Sequence, residues 1–329
     1  MQRRNMLIST AAAALTALSA ARPVRAQAFP SKVLRMVVPF PPGGPTDAFA
    51  RLFADGLGKQ LGHTVIVDNK AGAGGTIGSL EVKSSTPDGY TLLFGTASTH
   101  GLYNLIETKP RYSATDDFDY IASLGGAPAA LAVPLNMPST LKGLFDAAKK
   151  EPGKFSYGSP GTGTLLHVAT EQVLQLAGAS ITHIPYKGTG PAVQDLLGGS
   201  IQMAVGTLGG LLPLHRGGKL RIVGVATAKR TALAPDIPTI AESAGFTEPV
   251  EALLWSVLAV PQNTPAEVRK RLADGVRLAM AQPDMVRALS EQNIAADLRI
   301  GDVAANAFVR AETARWKPVI DKLGDAVRN

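Results

Sequence analysis

The most informative absence from this chain is cysteine. None of the 329 residues is a cysteine, which excludes disulfides, thiolate metal sites, cysteine nucleophiles and a lipid-bearing N-terminal cysteine. Aromatic residues make up only 5% of the chain and no basic cluster accompanies them, so a nucleic-acid-binding face is not expected. The histidines show no paired ligand spacing, and we predict neither a metal nor a cofactor. They are His63, His100, His167, His183 and His215.

Long hydrophobic runs are also scarce. Residues 6–20 form an apolar run that follows Arg3 and Arg4 and precedes the small residues of Val24-Arg25-Ala26. This order is typical of a signal peptide, here residues 1–26. The run is too short and too weakly hydrophobic to span a membrane, and no later stretch is long enough. We therefore expect export by the general secretory or twin-arginine route, which leaves the mature protein free in the periplasm of a Gram-negative cell.

The charge balance changes once that segment is removed. It contains four of the 33 lysines and arginines and none of the 26 acids, so the formal charge falls from +7 to +3. With 45% hydrophobic and 18% charged residues, the remainder has the composition of a soluble globular protein large enough for two domains.

Residues 37–51 predict a strand, a proline- and glycine-rich loop and then a helix. Prolines and the pair Gly43-Gly44 stop either element from crossing the loop, and Thr46 or Asp47 is a suitable N-cap. A loop that leads into a helix N-terminus presents unpaired N–H groups and a positive dipole end. The stretch therefore indicates either an anion site or an ordinary strand-to-helix turn.

Two further loops follow predicted strands. Residues 95–100 offer the hydroxyls of Ser98 and Thr99, whereas His100 is more typical of a structural residue. Residues 158–164 repeat the strand-loop-helix order in the second half of the chain, with Thr162 and Thr164 near a helix N-terminus. Two such loops in separate α/β lobes predict anion-receptive helix ends that face each other across a cleft.

Other signals leave alternatives open. Gly72, Gly74 and Gly78 resemble part of a dinucleotide fingerprint, but no suitably placed acidic residue follows, so a tight turn is favoured. Lys187 either pairs with an acidic ligand or is an ordinary surface lysine. Asp195 either faces a ligand or serves its helix dipole. Further strands are predicted at residues 117–126, 131–133 and 221–226, and C-terminal helices at 265–281 and 302–323.

Six segments, taken together and in order, resemble the Bug-type solute-binding proteins of tripartite tricarboxylate transporters. The resemblance covers essentially the whole mature chain. The segments are PSKVLRMVVPFPPGGPTDAFAR, VDNKAGAGGTIGS, TPDGYTLLFGTASTH, YGSPGTGT, HIPYKGTGPAVQDLLGG and LLWSVLAVPQNTP.

The resemblance implies a type II periplasmic-binding-protein fold, in which two α/β lobes close on a ligand cleft by a hinge motion. Lobe one would be discontinuous, comprising residues 27–124 and 221–329, and lobe two would comprise residues 125–220. The resemblance also implies a set of ligand-binding residues that hold a carboxylate, partly through water. They are Phe40, Pro41, Gly43, Gly44, Thr46, Asp47, Ser98, Thr99, Ser159, Thr162, Gly163, Thr164 and Asp195.

The expected function is a monomeric, non-catalytic receptor that captures a small organic carboxylate for a membrane transporter of the tripartite tricarboxylate type. A carboxylate sensor for a signalling partner would use the same cleft. An exported hydrolase is less well supported, because Gly158-Ser159-Pro160-Gly161 lacks the spacing of a nucleophile elbow.

Overall fold

The computed structural model describes residues 29–328, so the predicted signal peptide lies outside the described residues. No helix in that range is long and apolar enough to cross a membrane. The strands are β1 (Leu34–Val38), β2 (Val65–Asn69), β3 (Thr91–Thr96), β4 (Phe118–Val133), β5 (Ser156–Ser159), β6 (Thr182–Pro185), β7 (Met203–Thr207), β8 (Arg221–Val225), β9 (Leu253–Pro261) and β10 (Ala295–Ile300). The helices are α1 (Pro45–Leu61), α2 (Thr76–Lys83), α3 (Tyr103–Ile106), α4 (Leu141–Lys150), α5 (Leu165–Ala177), α6 (Thr189–Leu197), α7 (Leu208–Arg216), α8 (Ile240–Ala244), α9 (Ala266–Met280), α10 (Pro283–Glu291) and α11 (Asp302–Leu323).

Local sequence accounts for α1, the helix of the predicted first loop. Pro45 occupies its first turn, where the fixed φ of proline suits a helix and its missing N–H costs nothing. Phe49, Phe53 and Leu57 recur at helical spacing and are buried. The helix ends at Gly62, which has a φ of 73°, a left-handed conformation that glycine adopts readily.

The strands of residues 29–328 form one ten-stranded sheet with two parallel regions. In the first region β1 lies between β2 and β3 and is parallel to both. In the second region β5 lies between β6 and β7, again in parallel. Because ligands of parallel α/β sheets collect at the carboxyl ends of the strands, the loops after β1, β3, β5, β6 and β7 are the natural walls of a site.

β4 and β9 join the two parallel regions. β4 is 16 residues long; its first part pairs with β9 and β10, and its second part pairs with β7 and β8. The strands predicted at residues 117–126 and 131–133 are therefore both present, but they form one continuous strand rather than two. Small residues in the middle of β4 allow close packing against β9, since a Cβ on Gly126 would lie 2.3 Å from the Leu254 carbonyl oxygen.

The lobe boundaries stay a prediction, but strand pairing bears on one of them. Arg221–Val225 pairs with the second part of β4, on the edge opposite β7, and so belongs with the strands predicted for lobe two. We therefore propose that the chain returns to lobe one at β9 rather than at residue 221. The C-terminal helices α9 and α11 match the predicted spans, whereas α10 and β10 were not predicted.

Candidate functional site

Asp47 shapes the loop between β1 and α1. Its Oδ2 atom accepts hydrogen bonds from the Gly43 N–H and from Arg51 Nε, both at 2.9 Å, and its Oδ1 atom accepts one from Asn69 Nδ2 at 2.9 Å. Asn69 Nδ2 also donates to the Phe40 carbonyl at 3.0 Å. Burial alone would raise the pKa of Asp47, but the hydrogen bonds from Arg51, Gly43 and Asn69 outweigh it and lower that pKa. Asp47 is therefore ionised, and its hydrogen bonds fix the conformation of the loop.

The loop after β3 turns Ser98 towards the second lobe. Thr99 is directed inwards, where its hydroxyl accepts from the Thr96 N–H at 3.0 Å and lies 2.8 Å from His100 Nδ1. Ser98 Oγ instead accepts a hydrogen bond from the Leu165 N–H at 3.0 Å. Since Leu165 begins α5, this bond connects the β3 loop to the N-terminus of the helix that follows β5.

His100 is a structural residue, as the sequence favours. It is 1% exposed and packs against Tyr112, Phe118 and Tyr120. Burial lowers its pKa to about 3, so its ring is neutral at ordinary pH and supplies no charge to a ligand.

Hydrogen bonds from polar side chains fix the conformation of the loop of residues 159–164. Ser159 Oγ is hydrogen-bonded to His183 Nε2 at 2.7 Å. Thr164 donates to the Gly161 carbonyl at 2.7 Å and caps α5, while His167 Nδ1 accepts from the Gly163 N–H at 3.2 Å. These contacts fix the backbone of the loop against lobe two.

The Ser159–His183 pair does not have the accessibility of a catalytic dyad. Ser159 is fully buried, so a substrate carbonyl cannot approach its oxygen. Burial lowers the pKa of His183 to about 4, and burial together with the neighbouring His183 lowers that of His167 to about 3. The two rings stack at 4.0 Å as neutral groups, which is consistent with a structural role in supporting the loop.

A cavity of about 100 Å³ lies where these loops meet. Among the predicted ligand-binding residues, those that line it are Phe40, Pro41, Gly43, Gly44, Thr46, Ser98 and Thr164. Thr46 is 9% exposed, and its hydroxyl forms no hydrogen bond within residues 29–328 and is open to the cavity. Thr162 and Gly163 line a smaller neighbouring pocket beside Gly74 and Thr76.

Four predicted residues do not line either pocket: Asp47, Thr99, Ser159 and Asp195. The first three hold loops, as described above. Asp195 accepts a hydrogen bond from the Tyr186 hydroxyl at 2.6 Å, so its carboxylate already has a partner. We propose that these side chains position the binding loops, and their contact with a ligand stays a prediction.

The second-lobe wall contains residues that the sequence reasoning undervalued. Lys187, Gly188, Thr189, Gly190 and Pro191, the loop after β6 and the first turn of α6, line the same cavity. The signal was available, because the segment YKGTGP repeats the pattern of a glycine-rich loop before a helix. Lys187 forms no ion pair in the described part of the chain.

Two helices that follow strands of different parallel regions of the sheet begin at this cavity without side-chain caps. The N-cap of α1 is Gly44 and that of α6 is Gly188, and neither position provides a capping side chain. Their first-turn N–H groups are thus open to an external acceptor, and both dipoles favour a negative charge there. Of the described side chains that line the cavity, only Lys187 is charged. The arrangement is suited to an anion.

A larger chamber of about 400 Å³ adjoins the first. The two share Gly43, Gly44, Thr46, Thr189 and Leu254, among other residues. The combined space falls in the range of small-molecule clefts, roughly 300–1,000 Å³. The binding region therefore consists of a narrow anion-receptive end and a wider second chamber.

Comparison with known proteins identifies close structural relatives. A family model described as "Tripartite tricarboxylate transporter family receptor" matches residues 49–325. The chain is 30% identical to the periplasmic binding protein BugD, with a TM-score of 0.84 over 91% of this chain and 99% of that one. This match confirms the predicted periplasmic-binding-protein fold and the resemblance to Bug proteins.

Two similar structures contain carboxylates. MatC from Rhodopseudomonas palustris, with bound malate, is 29% identical and has a TM-score of 0.82 over 89% of this chain and 100% of that one. Rpa4515 from R. palustris, with adipate, is 30% identical and has a TM-score of 0.82 over 90% of this chain and 98% of that one. Both proteins share the fold that builds the cavity described above.

Proposed function

Because this chain belongs to the tripartite tricarboxylate transporter receptor family, we propose that it is a periplasmic receptor that binds a small organic carboxylate and delivers it to a membrane transporter of that type. The family is one of solute-binding receptors rather than enzymes, and its members include periplasmic binding proteins. The observation that carries the proposal is the meeting of the uncapped N-termini of α1 and α6 beside Lys187.

The geometry suggests how the carboxylate is held. Its oxygens accept hydrogen bonds from first-turn N–H groups of both helices and from the Thr46 hydroxyl, and Lys187 supplies a positive charge at the rim. Charge-assisted hydrogen bonds of this kind contribute roughly 1.5–3 kcal/mol each. Because the donors come from both lobes, binding favours the closed arrangement, to which the Ser98–Leu165 hydrogen bond also contributes.

Export and assembly follow from the same proposal. Residues 1–26 act as the signal peptide, and the mature receptor works as a monomer that docks on its transporter. A sensory receptor for a signalling partner would use an identical cleft and is the alternative we retain. A hydrolase is not favoured, because the serine hydrogen-bonded to a histidine is buried.

The test is thermal unfolding of the mature protein, residues 27–329, against mono-, di- and tricarboxylates and aromatic acids. A ligand at about a hundred times its dissociation constant stabilises the protein by about 2.7 kcal/mol, which raises the unfolding midpoint by several degrees. We expect a selective shift with one class of acid. If no acid shifts the midpoint while an uncharged or cationic solute does, the carboxylate proposal is wrong.

A further inference from the structure

His167, in the first turn of α5, leaves one of its two ring nitrogens without a partner. Its side chain is 1% exposed. The Nδ1 atom accepts a hydrogen bond from the Gly163 N–H at 3.2 Å, whereas the buried Nε2 atom has no hydrogen-bond partner in the part of the chain that the structure describes. A backbone N–H can only donate, so Nδ1 carries no proton and the neutral ring has its proton on Nε2. The bond to Gly163 therefore fixes both the charge and the tautomer of His167.

The titratable groups around His167 favour the neutral ring. His183 of β6 stacks on it with the ring centroids 4.0 Å apart. Glu171 Oε1, one turn further along α5, lies 4.0 Å from Nε2, which is too long for a hydrogen bond, and it accepts instead from the hydroxyl of Tyr157 on β5 at 2.6 Å. Burial, and after it the neighbouring His183, lower the pKa of His167 to about 3, while burial raises the pKa of Glu171. His167 is therefore not a cation at ordinary pH.

The N–H groups at the start of α5 already have acceptors within the protein. The Thr164 N–H donates to a carbonyl of the same loop at 3.3 Å, and the Leu165 N–H donates to Ser98 Oγ at 3.0 Å. Together with the bond from Gly163 to His167, three successive donors are engaged. This helix start thus differs from those of α1 and α6, whose N-cap glycines provide no capping side chain. What the loop before α5 contributes to the cleft is the shape of its backbone.

This loop lies beside the anion-receptive end of the cleft. Thr162 and Gly163 line the smaller pocket, of about 10 Å³, together with Gly74 and Ser98, among other residues. Ser98 also lines the anion-receptive cavity, so the two spaces adjoin. His167 lines neither of them. His167 therefore acts on the cleft through its bond to Gly163, and a displaced loop would open the smaller pocket to the cavity beside it.

From these observations we propose that His167 is a positioning residue for carboxylate binding, an uncharged hydrogen-bond acceptor that holds Gly163 and keeps residues 159–164 in the conformation that receives the ligand. The inference rests on the proposed function and adds to it a residue that touches no ligand. A protonated histidine would attract a carboxylate directly. His167 has to stay unprotonated instead, because a proton on Nδ1 would remove the acceptor of the Gly163 N–H.

Two substitutions separate the acceptor from the ring. His167→Asn keeps an uncharged acceptor, since the amide oxygen of asparagine is bonded to Cγ as Nδ1 is in histidine, whereas His167→Leu removes it. Calorimetry with succinate, glutarate, citrate and benzoate measures affinity, and hydrogen exchange of the Gly163 amide in the ligand-free protein measures how firmly the loop is held. We expect His167→Leu to weaken the tightest-binding acid about tenfold and to speed Gly163 exchange about tenfold, and His167→Asn to stay within about threefold of the wild type in both.

His215 offers a matched control. Its Nδ1 atom accepts from the Ile222 N–H at 3.3 Å, which is the same kind of bond, but it lies outside both chambers and the smaller pocket. His215→Leu should therefore change neither the affinity nor the exchange of the Gly163 amide.

The pH dependence distinguishes a neutral acceptor from a cation. We expect the ratio of the wild-type affinity to that of His167→Asn to stay constant between about pH 5 and pH 8, because the ring is uncharged throughout that range. Nitrogen NMR of the ring should show the tautomer with the proton on Nε2. If the ratio falls as the pH rises through the ordinary histidine pKa of 6.5, His167 binds the acid as a cation and the proposal is wrong.

The remaining outcomes separate this inference from the proposed function. If the wild-type protein binds a carboxylate but His167→Leu leaves affinity and Gly163 exchange within about twofold of the wild type, His167 is not a positioning residue and the receptor function stands. The same conclusion follows if His215→Leu weakens binding as much as His167→Leu, or if His167→Asn loses as much affinity as His167→Leu. If the wild-type protein binds no carboxylate, both proposals fail together.

Discussion

Replacing Asp47 by alanine tests whether the first loop must be held in shape before a ligand binds. The carboxylate is 3% exposed and accepts three hydrogen bonds. The bonds from the Gly43 N–H and Asn69 are worth about 1–1.5 kcal/mol each. The Arg51 pair contributes only about 0.5 kcal/mol, because the arginine is half exposed and the pair is screened by solvent.

The expected loss is therefore about 3 kcal/mol, and it falls on the loop that lines the cavity. If binding must reorder this loop, carboxylate affinity falls by up to about a hundredfold, while the unfolding midpoint falls by about 5 °C for a protein of this size. Calorimetry measures the first quantity and thermal unfolding the second. Arg51→Ala is the control, since it removes the exposed arginine with its bond to Asn69 Oδ1 and leaves the hydrogen bonds from Gly43 and Asn69 to Asp47 in place.

The refuting result is specific. If Asp47→Ala lowers the unfolding midpoint but leaves carboxylate affinity within about twofold of the wild-type value, the loop is not part of the binding site. Equal effects of Asp47→Ala and Arg51→Ala on affinity would show that charge near the cleft, rather than the buried hydrogen bonds, determines binding.

Two further predictions concern charge and protonation. Lys187→Met should weaken carboxylate binding about fivefold at low ionic strength and less at high ionic strength, because the lysine is exposed and salt screens its attraction for the ligand. Lys219 is an exposed lysine outside both chambers, so Lys219→Met should not change the affinity in the same calorimetric titrations. Burial lowers the pKa of His100 from 6.5 to about 3. Between those two pH values the unfolded chain binds a proton at His100 that the folded protein does not. The free energy of unfolding therefore falls as the pH falls, by about 1.4 kcal/mol per pH unit for this residue. Urea unfolding at several pH values should show a shallower pH dependence in His100→Phe than in the wild type, and an unchanged slope would contradict the buried neutral imidazole.

Several features were predictable from the sequence because they depend on residues close together in the chain. The prolines and glycines of residues 39–45 fix a turn whatever surrounds them, although the helix that follows starts at Pro45 with Gly44 as its N-cap, so the predicted N-cap at Thr46 or Asp47 was wrong. The same reasoning located the loop before α5 and the spans of α9 and α11. The six ordered motifs identified the family, which the matching family model confirms.

Side-chain direction was not predictable in the same way. Thr46 and Asp47 are neighbours in the same helix turn, yet only Thr46 lines the cavity, because Asp47 is turned towards Gly43 and Asn69. Asp195 is predicted to face the ligand, and the structure adds that its Oδ2 atom accepts a hydrogen bond from the Tyr186 hydroxyl. In each case a partner outside the local pattern decides where the polar atoms point.

The sequence by itself determined where backbone donors would be available, since helix starts and glycine-rich turns are set by local conformational preference. Only the tertiary structure decided which of them share a cavity. Gly44 and Gly188 line one cavity although they follow strands of the two different parallel regions of the sheet. Such contacts depend on strand order and long-range packing, which no spacing along the chain encodes, and they are what turn separate helix ends into one binding site.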